Sequence, residues 1–558
     1  MQIQDYIVFI VYFVIVAGYG LYIYYKKKSA VQDSKDYFLA EGSLTWWAIG
    51  ASLIASNISA EQFIGMSGSG FQMGLAIAAY EWMAAITLIV VAIFFMPVYL
   101  KNKIFTMPQF LHQRYNSTVA MIMAVFWLML YIVVNLMSIL FLGAVAIAGI
   151  SGIDITTCII LLSIFAIIIT LGGMKVIGYT DVIQVLVLVI GGFFATYIAL
   201  DIISDGQGFF TGLTKLQDGA AEHFDMIFNK DQAGYMELPG LSVLIGGLWI
   251  ANLSYWGCNQ YITQRALGAS LGTARNGLLF AAFLKMLMPL IVVIPGIAVY
   301  YIIKNDIGAI SPDLLLASNG VTDPNKAYSA LITLLPTGIK GLSFAALTAA
   351  IVASLAGKAN SIATIFTLDI YKKAINTEAS EAKLVKVGKI SVVVAMLLGT
   401  LLSLVVGNAL MGEGKQGFQY IQEYTGFVSP GIFAMFILGF FWKKTTSNAA
   451  LFATIGGFIF SVLLKFSGQL MDLEFLSVIN FAIPNAQGVY EIPFMDRMSI
   501  VFLLCVIGMV AISLYENAKG VKPNGLEIDT KMFKMSPTFL VLSLLIVGLT
   551  AALYIVFW

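Results

Sequence analysis

The sequence predicts an all-α membrane protein with fourteen transmembrane helices, and three observations carry that prediction. Of 558 residues, 59% are hydrophobic and 11% charged, against about a quarter charged in a soluble domain. Apolar runs close to the ~20 residues that a helix needs to cross a bilayer recur along the chain. Runs such as "MIMAVFWLMLYIVVNLMSILFLGAVAIAGI" lack in/out alternation. That argues against the closed β-barrel, the other structure that satisfies its backbone in lipid.

The remaining composition narrows the function. A net charge of +1 with no basic face leaves no footprint for nucleic acid. Cys158, Cys258 and Cys505 lie in apolar contexts and read as buried thiols. His112 and His223 fall far apart, so no metal centre is suggested. Asp5 ahead of a full-length span is unlike a signal peptide. No nucleophile–base pair or nucleotide loop argues for an enzyme, and "LAGKAN" is no phosphate loop, because Ala359 stands where Ser or Thr is needed.

In order, spans are expected near 6–25, 45–70, 75–100, 118–149, 153–171, 176–203 and 240–264. Seven more follow near 276–303, 340–370, 386–409, 417–442, 446–466, 498–515 and 537–557. Lys/Arg-rich connections such as "KKKSAVQDSK", "KNKIF", "YKKAINTEASEAKLVKVGK" and "WKKTTS" read as inner loops by the positive-inside rule. Both termini are then outside, in a multi-pass protein of the plasma (inner) membrane. The connections near 205–238 and 305–338 become outer ones, expected to form short surface helices.

One stretch breaks the pattern. "ASNISAEQFIGMSGSGF", residues 55–71, packs polar and glycine residues into the second span. "ANLSYWGCNQ", residues 251–260, is a weaker echo in the seventh. Five spans separate them, so the second copy crosses in the opposite direction. Inverted repeats that open with discontinuous helices are the architecture of many secondary transporters. Irregular backbone at membrane depth is tolerated only where it is buried in protein or lines a cavity, so the second span is expected to line a site.

Ionisable residues within spans are functional candidates by default: Glu61, Glu81, Asp181, Lys285, Lys358 and Glu423. At about 1.5 Å per residue, Asn57, Asn252 and Lys285 fall near the midplane and Glu81 and Gln422 in the outer half. Together with Gln62 they can converge on one cavity. Amide, carboxylate and ammonium groups in such a set suit a neutral polyhydroxylated ligand. The competing reading makes lone amides interhelical glue. Lys285 also leaves an organic acid open, although Glu81 argues against an anion. Glu61 and Glu423 read as structural or gating partners. A channel would need a continuous polar stripe, whereas these groups cluster at mid-depth.

The stretches "SNISAEQFIGMSGSGF", "AAYEWMAAITL", "GLWIANLSYWG", "FAAFLKMLMPL", "IVASLAGKANSIATIFTLDIYK" and "FQYIQEYTGFVSPGI" resemble the sodium/solute symporter family. Within it, the likeness is to bacterial sodium/galactose and sodium/glucose transporters, almost end to end. The resemblance implies a leucine-transporter-like core of two inverted five-helix repeats. Residues 1–40 would form an extra N-terminal helix and basic inner loop, and 41–204 the first repeat. An outer loop at 205–239 leads to the second repeat at 240–442, which contains the outer loop 305–338, and 443–558 would form three C-terminal helices.

Function is implied residue by residue. Sugar contacts would be Asn57, Gln62, Glu81, Asn252, Tyr255, Lys285 and Gln422. Tyr255 would also close the inner exit, and Met66, Tyr80 and Phe418 the outer one. No cofactor is implied beyond a coupling sodium ion, held by carbonyls of Ala55, Ile58 and Ala350 and by the Ser354 hydroxyl. The expected activity is alternating-access symport of sodium with a galactose- or glucose-like monosaccharide. Inositol, an organic acid, or sodium-independent or proton-coupled sugar transport are the alternatives.

Three departures stand out. Ala84 replaces a serine after "YEWM", and Ala353 replaces the first of two paired serines in the ninth span. Lys358 stands one turn further along. It is expected to form a salt bridge with Asp181 in the space where some family members hold an additional sodium. Snorkelling of Lys358 toward the inner surface is the other reading.

Overall fold

The computed structural model describes residues 1–26, 44–232, 234–317, 320–411, 417–479, 481–485 and 488–558. The basic loop expected beyond Lys26 and the boundary expected at 40 and 41 lie outside the described residues. The described chain is helical, with one short antiparallel pair, Ile483–Pro484 with Tyr490–Glu491.

The elements that matter run in order as α1 (Ile3–Lys26), α2 (Trp46–Asn57), α3 (Ser67–Met73) and α4 (Ala79–Val90). They continue through α5 (Ser117–Ser151), α6 (Ile155–Thr170), α7 (Gly173–Ser204), α8 (Gly247–Cys258) and α9 (Gln260–Leu267). Then come α10 (Leu271–Lys304), α11 (Ile339–Thr364), α12 (Glu381–Met411), α13 (Gly417–Thr425) and α14 (Ser429–Phe441). The last are α15 (Ser447–Lys465), α16 (Phe494–Ala518) and α17 (Pro537–Val556). The connection after α7 holds a surface helix, Phe209–Gly219.

Among the described residues eleven helices are long and apolar enough to cross a membrane, or twelve with α13 and α14 counted as one span bent by 47°. The expected fourteen do not emerge from length alone, and the reasons are local. The span expected at 153–171 is α6, only 16 residues long. The span expected at 45–70 is split, and its second half runs without a loop into the next, as Glu61–Lys101. Within that run Gly74 sits at φ +75°, ψ −149°, a conformation essentially reserved for glycine.

The split in the second span follows from side-chain capping. α2 stops at Asn57 because Ile58 is extended, at φ −77° and ψ 112°. A capping box then restarts the helix. The Ser59 amide donates to Gln62 Oε1 at 2.9 Å, and Ser59 Oγ accepts from the Glu61 amide at 3.2 Å. A π-helical turn, Glu61–Met66, leads into α3. A second break lies at Asn259, φ −106° and ψ 125°, between α8 and α9.

The two breaks correct the register of the sequence echo. Both α2 and α8 are twelve residues long, so the counterpart of Ile58 is Asn259. Asn252, which the echo pairs with Asn57, lies well inside α8. The freed carbonyls find donors, as burial requires. Ser354 Oγ donates to the Ser56 carbonyl at 3.0 Å and Tyr99 Oη to the Gly257 carbonyl at 2.6 Å.

Packing holds both breaks at the centre of the bundle. α2 packs against α7, α10 and α11, and α8 against α4, α14 and α16. The α2–α10 crossing is close because Gly50 faces Gly277. A Cβ on Gly50 would stand 2.7 Å from the Gly277 carbonyl oxygen, the small-residue contact expected between membrane helices.

Candidate functional site

All seven residues expected to contact substrate line one cavity: Asn57, Gln62, Glu81, Asn252, Tyr255, Lys285 and Gln422. Asn57 closes α2, and Gln62 stands in the turn after the break. Glu81 comes from α4, Asn252 and Tyr255 from α8, Lys285 from α10 and Gln422 from α13.

A chain of hydrogen bonds organises the wall. Lys285, 1% exposed, donates to Glu81 Oε2 at 2.5 Å and to Asn57 Oδ1. Its ammonium also lies 5.3 Å from the Trp256 ring centroid, within cation–π range. Asn57 Nδ2 donates to Tyr255 Oη at 2.9 Å, and Tyr261 Oη donates to the same oxygen. The chain thus runs from Glu81 through Asn57, beside the first break, to Tyr261, just past the second. The ammonium and carboxylate cancel, so this part of the cavity presents directional polar groups without net charge.

Some polar capacity is already committed. Gln62 Oε1 caps Ser59, which leaves its amide NH₂ group for a ligand. Asn252 Nδ2 donates to the Leu248 carbonyl at 3.1 Å. Tyr80 and Phe418 line the cavity edge-to-face, ring centroids 5.0 Å apart. Met66, expected beside them, is fully buried in the apolar core and lies off the wall. Met66 ends the π-helical turn and packs into that core. Ala84 is on the wall and offers no hydroxyl.

The residues expected at the ion, Ala55, Ile58, Ala350 and Ser354, are all buried. Ser354 Oγ meets the Ser56 carbonyl, which joins α11 to the end of α2, whereas Ala353 brings no oxygen. Among the described residues no group of three His, Cys, Asp or Glu can hold a metal. An alkali ion here would rely on carbonyl and hydroxyl oxygens.

The expected Asp181–Lys358 salt bridge is not formed: among the described residues no ion pair joins them. Arg265 from α9 is the cation on the Asp181 side. Its Nε donates to Ser52 Oγ at 2.8 Å, and Ser52 donates to Asp181 Oδ2 at 2.6 Å. Gly357 makes room for the guanidinium, since a Cβ there would stand 2.6 Å from Arg265 Nη2. Lys358 is buried rather than snorkelling. It lies on the cavity wall, 5.0 Å from the Tyr261 ring centroid.

The two ambiguous glutamates separate. Glu61 lines the cavity and accepts from Ser138 Oγ at 3.1 Å. Glu423 is off it, paired with Lys465 at 2.7 Å and with Arg497. Trp256, Asn259, Tyr261 and Arg265 were not foreseen. The aromatics of "YWGCNQY" on both sides of a break were the available signal for the first three. Arg265, one residue past the expected seventh span, looked like a loop cation.

The chain is similar along most of its length to known proteins. The profile of the sodium:solute symporter family matches residues 37–457. A sodium/glucose cotransporter of Vibrio parahaemolyticus is 46% identical over 558 residues, 99% of this chain and 98% of its own length. Sodium/myo-inositol cotransporter 2 of Mus musculus is 32% identical over 491 residues, 85% of this chain and 71% of its own. A Na+-coupled sialic acid symporter, solved substrate-bound and outward-open, superposes with a TM-score of 0.74 at 22% identity. That match covers 92% of this chain and 98% of the other and is one of fold. With a family profile across most of its length and a full-length relative, this multi-pass helical membrane protein is a transporter, not an enzyme, and belongs to the sodium:solute symporter family.

Proposed function

We propose that this chain imports a neutral, glucose- or galactose-like monosaccharide together with sodium by alternating access. The observation that carries the reading is the Glu81–Lys285 pair, hydrogen-bonded to Asn57 at the helix break. A carboxylate substrate would need an uncompensated cation beside these groups, but Glu81 neutralises Lys285, and Glu61 on the same wall attracts Lys358. A sugar needs donors and acceptors in directional pairs, which Asn57, Gln62, Asn252 and Gln422 offer around that pair. Tyr255 contacts the ring and closes the inner exit, while Tyr80 and Phe418 close the outer one. Met66 supports that lid from the core.

Joining α2 to Glu61–Met73, turning the chain at Gly74, and counting α6 and the bent α13–α14 pair yields fourteen spans with both termini outside. In this reading 1–40 carries the extra helix, 41–204 and 240–442 are inverted repeats, 205–239 is an outer loop, and 443–558 holds three terminal helices. The equal lengths of α2 and α8 before their breaks favour that symmetry. Sodium, held by Ala55, Ile58, Ala350 and Ser354, ties the break to α11 and stabilises the outward-open state.

The driving force suffices. One charge moving down ~100 mV contributes about 2.3 kcal/mol, and a tenfold sodium gradient adds about 1.4 kcal/mol. One ion per sugar sustains a gradient of several hundredfold, as an order of magnitude. The test is uptake of labelled glucose, galactose and myo-inositol into proteoliposomes with and without an inward sodium gradient. Accumulation of a hexose only with sodium is expected, and sodium-independent accumulation overturns the coupling.

A further inference from the structure

We propose that Lys358 is a tethered cation that competes with sodium for the oxygens at the α2 break. It would make this chain a weak binder of its coupling ion. The inference rests on the sodium locus assigned under the proposed function and deepens it.

The geometry is direct. Lys358 is buried, and its Nζ lies 3.5 Å from Ser354 Oγ. That hydroxyl is the side-chain oxygen assigned to the ion, and it meets the Ser56 carbonyl at 3.0 Å. Among the described residues Ser354 is the hydrogen-bond partner of the ammonium, and no carboxylate lies within ion-pairing distance. A long contact to one hydroxyl and the face of Tyr261 satisfy a buried ammonium poorly. The oxygens that suit sodium suit it equally.

The charged groups around Lys358 do not remove the competition. Glu61, in the turn after the break, attracts it, while Arg265 from α9 repels it. Asp181 on α7 accepts from Ser52, which accepts from Arg265. Two buried cations therefore stand beside the proposed ion locus, and Ala353 leaves that locus one hydroxyl short.

Coulomb's law sets the scale. An ion about 2.4 Å from Ser354 Oγ, the usual distance for a hard cation of this size, is within about 6 Å of Lys358 Nζ. At an effective dielectric of about 20, repulsion at that distance weakens binding by ~100-fold. Glu61 offsets part of this, so a change of roughly tenfold is expected when the ammonium is removed.

The experiment compares wild type, Lys358→Met and Lys358→Arg as purified full-length protein and in proteoliposomes. Sodium binding is read as the rise in melting temperature when NaCl replaces choline chloride at constant total salt. Sodium dependence of glucose uptake is read in parallel. The half-effective sodium concentration is expected to fall at least fivefold in Lys358→Met and not in Lys358→Arg. Half-effective concentrations within twofold of wild type in a cooperatively melting Lys358→Met overturn the proposal. If that variant does not melt cooperatively, Lys358→Gln takes its place under the same criterion. A sodium response gained by Lys358→Met but absent from wild type supports the competition and refutes sodium-driven transport by the natural chain. No response in either protein overturns both.

Discussion

The buried Glu81–Lys285 pair makes a quantitative prediction. The two side chains are 4% and 1% exposed and 2.5 Å apart, so removing one leaves an uncompensated charge in the bundle. Such a loss costs about 3–5 kcal/mol, whereas replacing both partners by neutral groups is often close to neutral. At about 2.1 cal/mol/K per residue, 558 residues have an unfolding entropy of about 1.2 kcal/mol/K. Each single change, Glu81→Gln or Lys285→Met, is then expected to lower Tm by about 3–4 °C. The double variant is expected within about 1 °C of wild type. Sugar uptake should be lost in all three, because each removes a wall of the cavity. Thermal melts of purified protein beside proteoliposome uptake make the assay. Strictly additive Tm losses would show the two groups to be uncoupled, and sugar uptake restored in the double variant would remove them from the substrate site.

Three further outcomes are expected. Gln62→Leu removes the acceptor of the Ser59 amide and should cost about 1 kcal/mol of helix capping. Gln62→Glu keeps an acceptor for the cap but removes the amide NH₂ group, and should lose sugar affinity, read as a higher KM for uptake. Gly74→Ala should prevent folding, because its Cβ would stand 2.2 Å from the His223 carbonyl oxygen at φ +75°. Gly152→Ala, at φ +76° in open space, should cost only about 1–2 kcal/mol, and fluorescence-detected size exclusion separates the two. The Lys304 ammonium, hydrogen-bonded to Glu222, lowers its carboxyl to about 2. The bond's stability is therefore present above the unfolded value of about 4.3 and is lost as pH falls toward 2. The pair is half exposed, so Glu222→Gln should cost under about 1 kcal/mol at neutral pH. Its Tm deficit should be constant from pH 7 to 5 and vanish below it.

Much of the site was legible before any coordinates. Polar residues at matching membrane depth are too costly to face lipid, so depth alone brought Asn57, Glu81, Asn252, Lys285 and Gln422 to one cavity. The interruption of the second span was legible too, because residues 55–71 pack polar and glycine residues where an apolar span is expected. Length and apolarity return eleven or twelve spans among the described residues rather than fourteen, because no loop divides Glu61–Lys101 at Gly74 and α6 has only 16 residues.

The chain's own chemistry thus determined the helical membrane class, the broken second span and the polar set converging beside it, since each follows from local composition and the solvation cost of polar atoms in lipid. Only the tertiary structure decided who pairs with whom. It gave Asp181 to Arg265 through Ser52, turned Met66 into the core, aligned Ile58 with Asn259 rather than Asn252 with Asn57, and brought Ser354 to the Ser56 carbonyl. Pairing depends on helix rotation and on which glycine admits a neighbour, as Gly357 admits Arg265. Rotation past a break or a π turn is not recorded in a one-dimensional pattern.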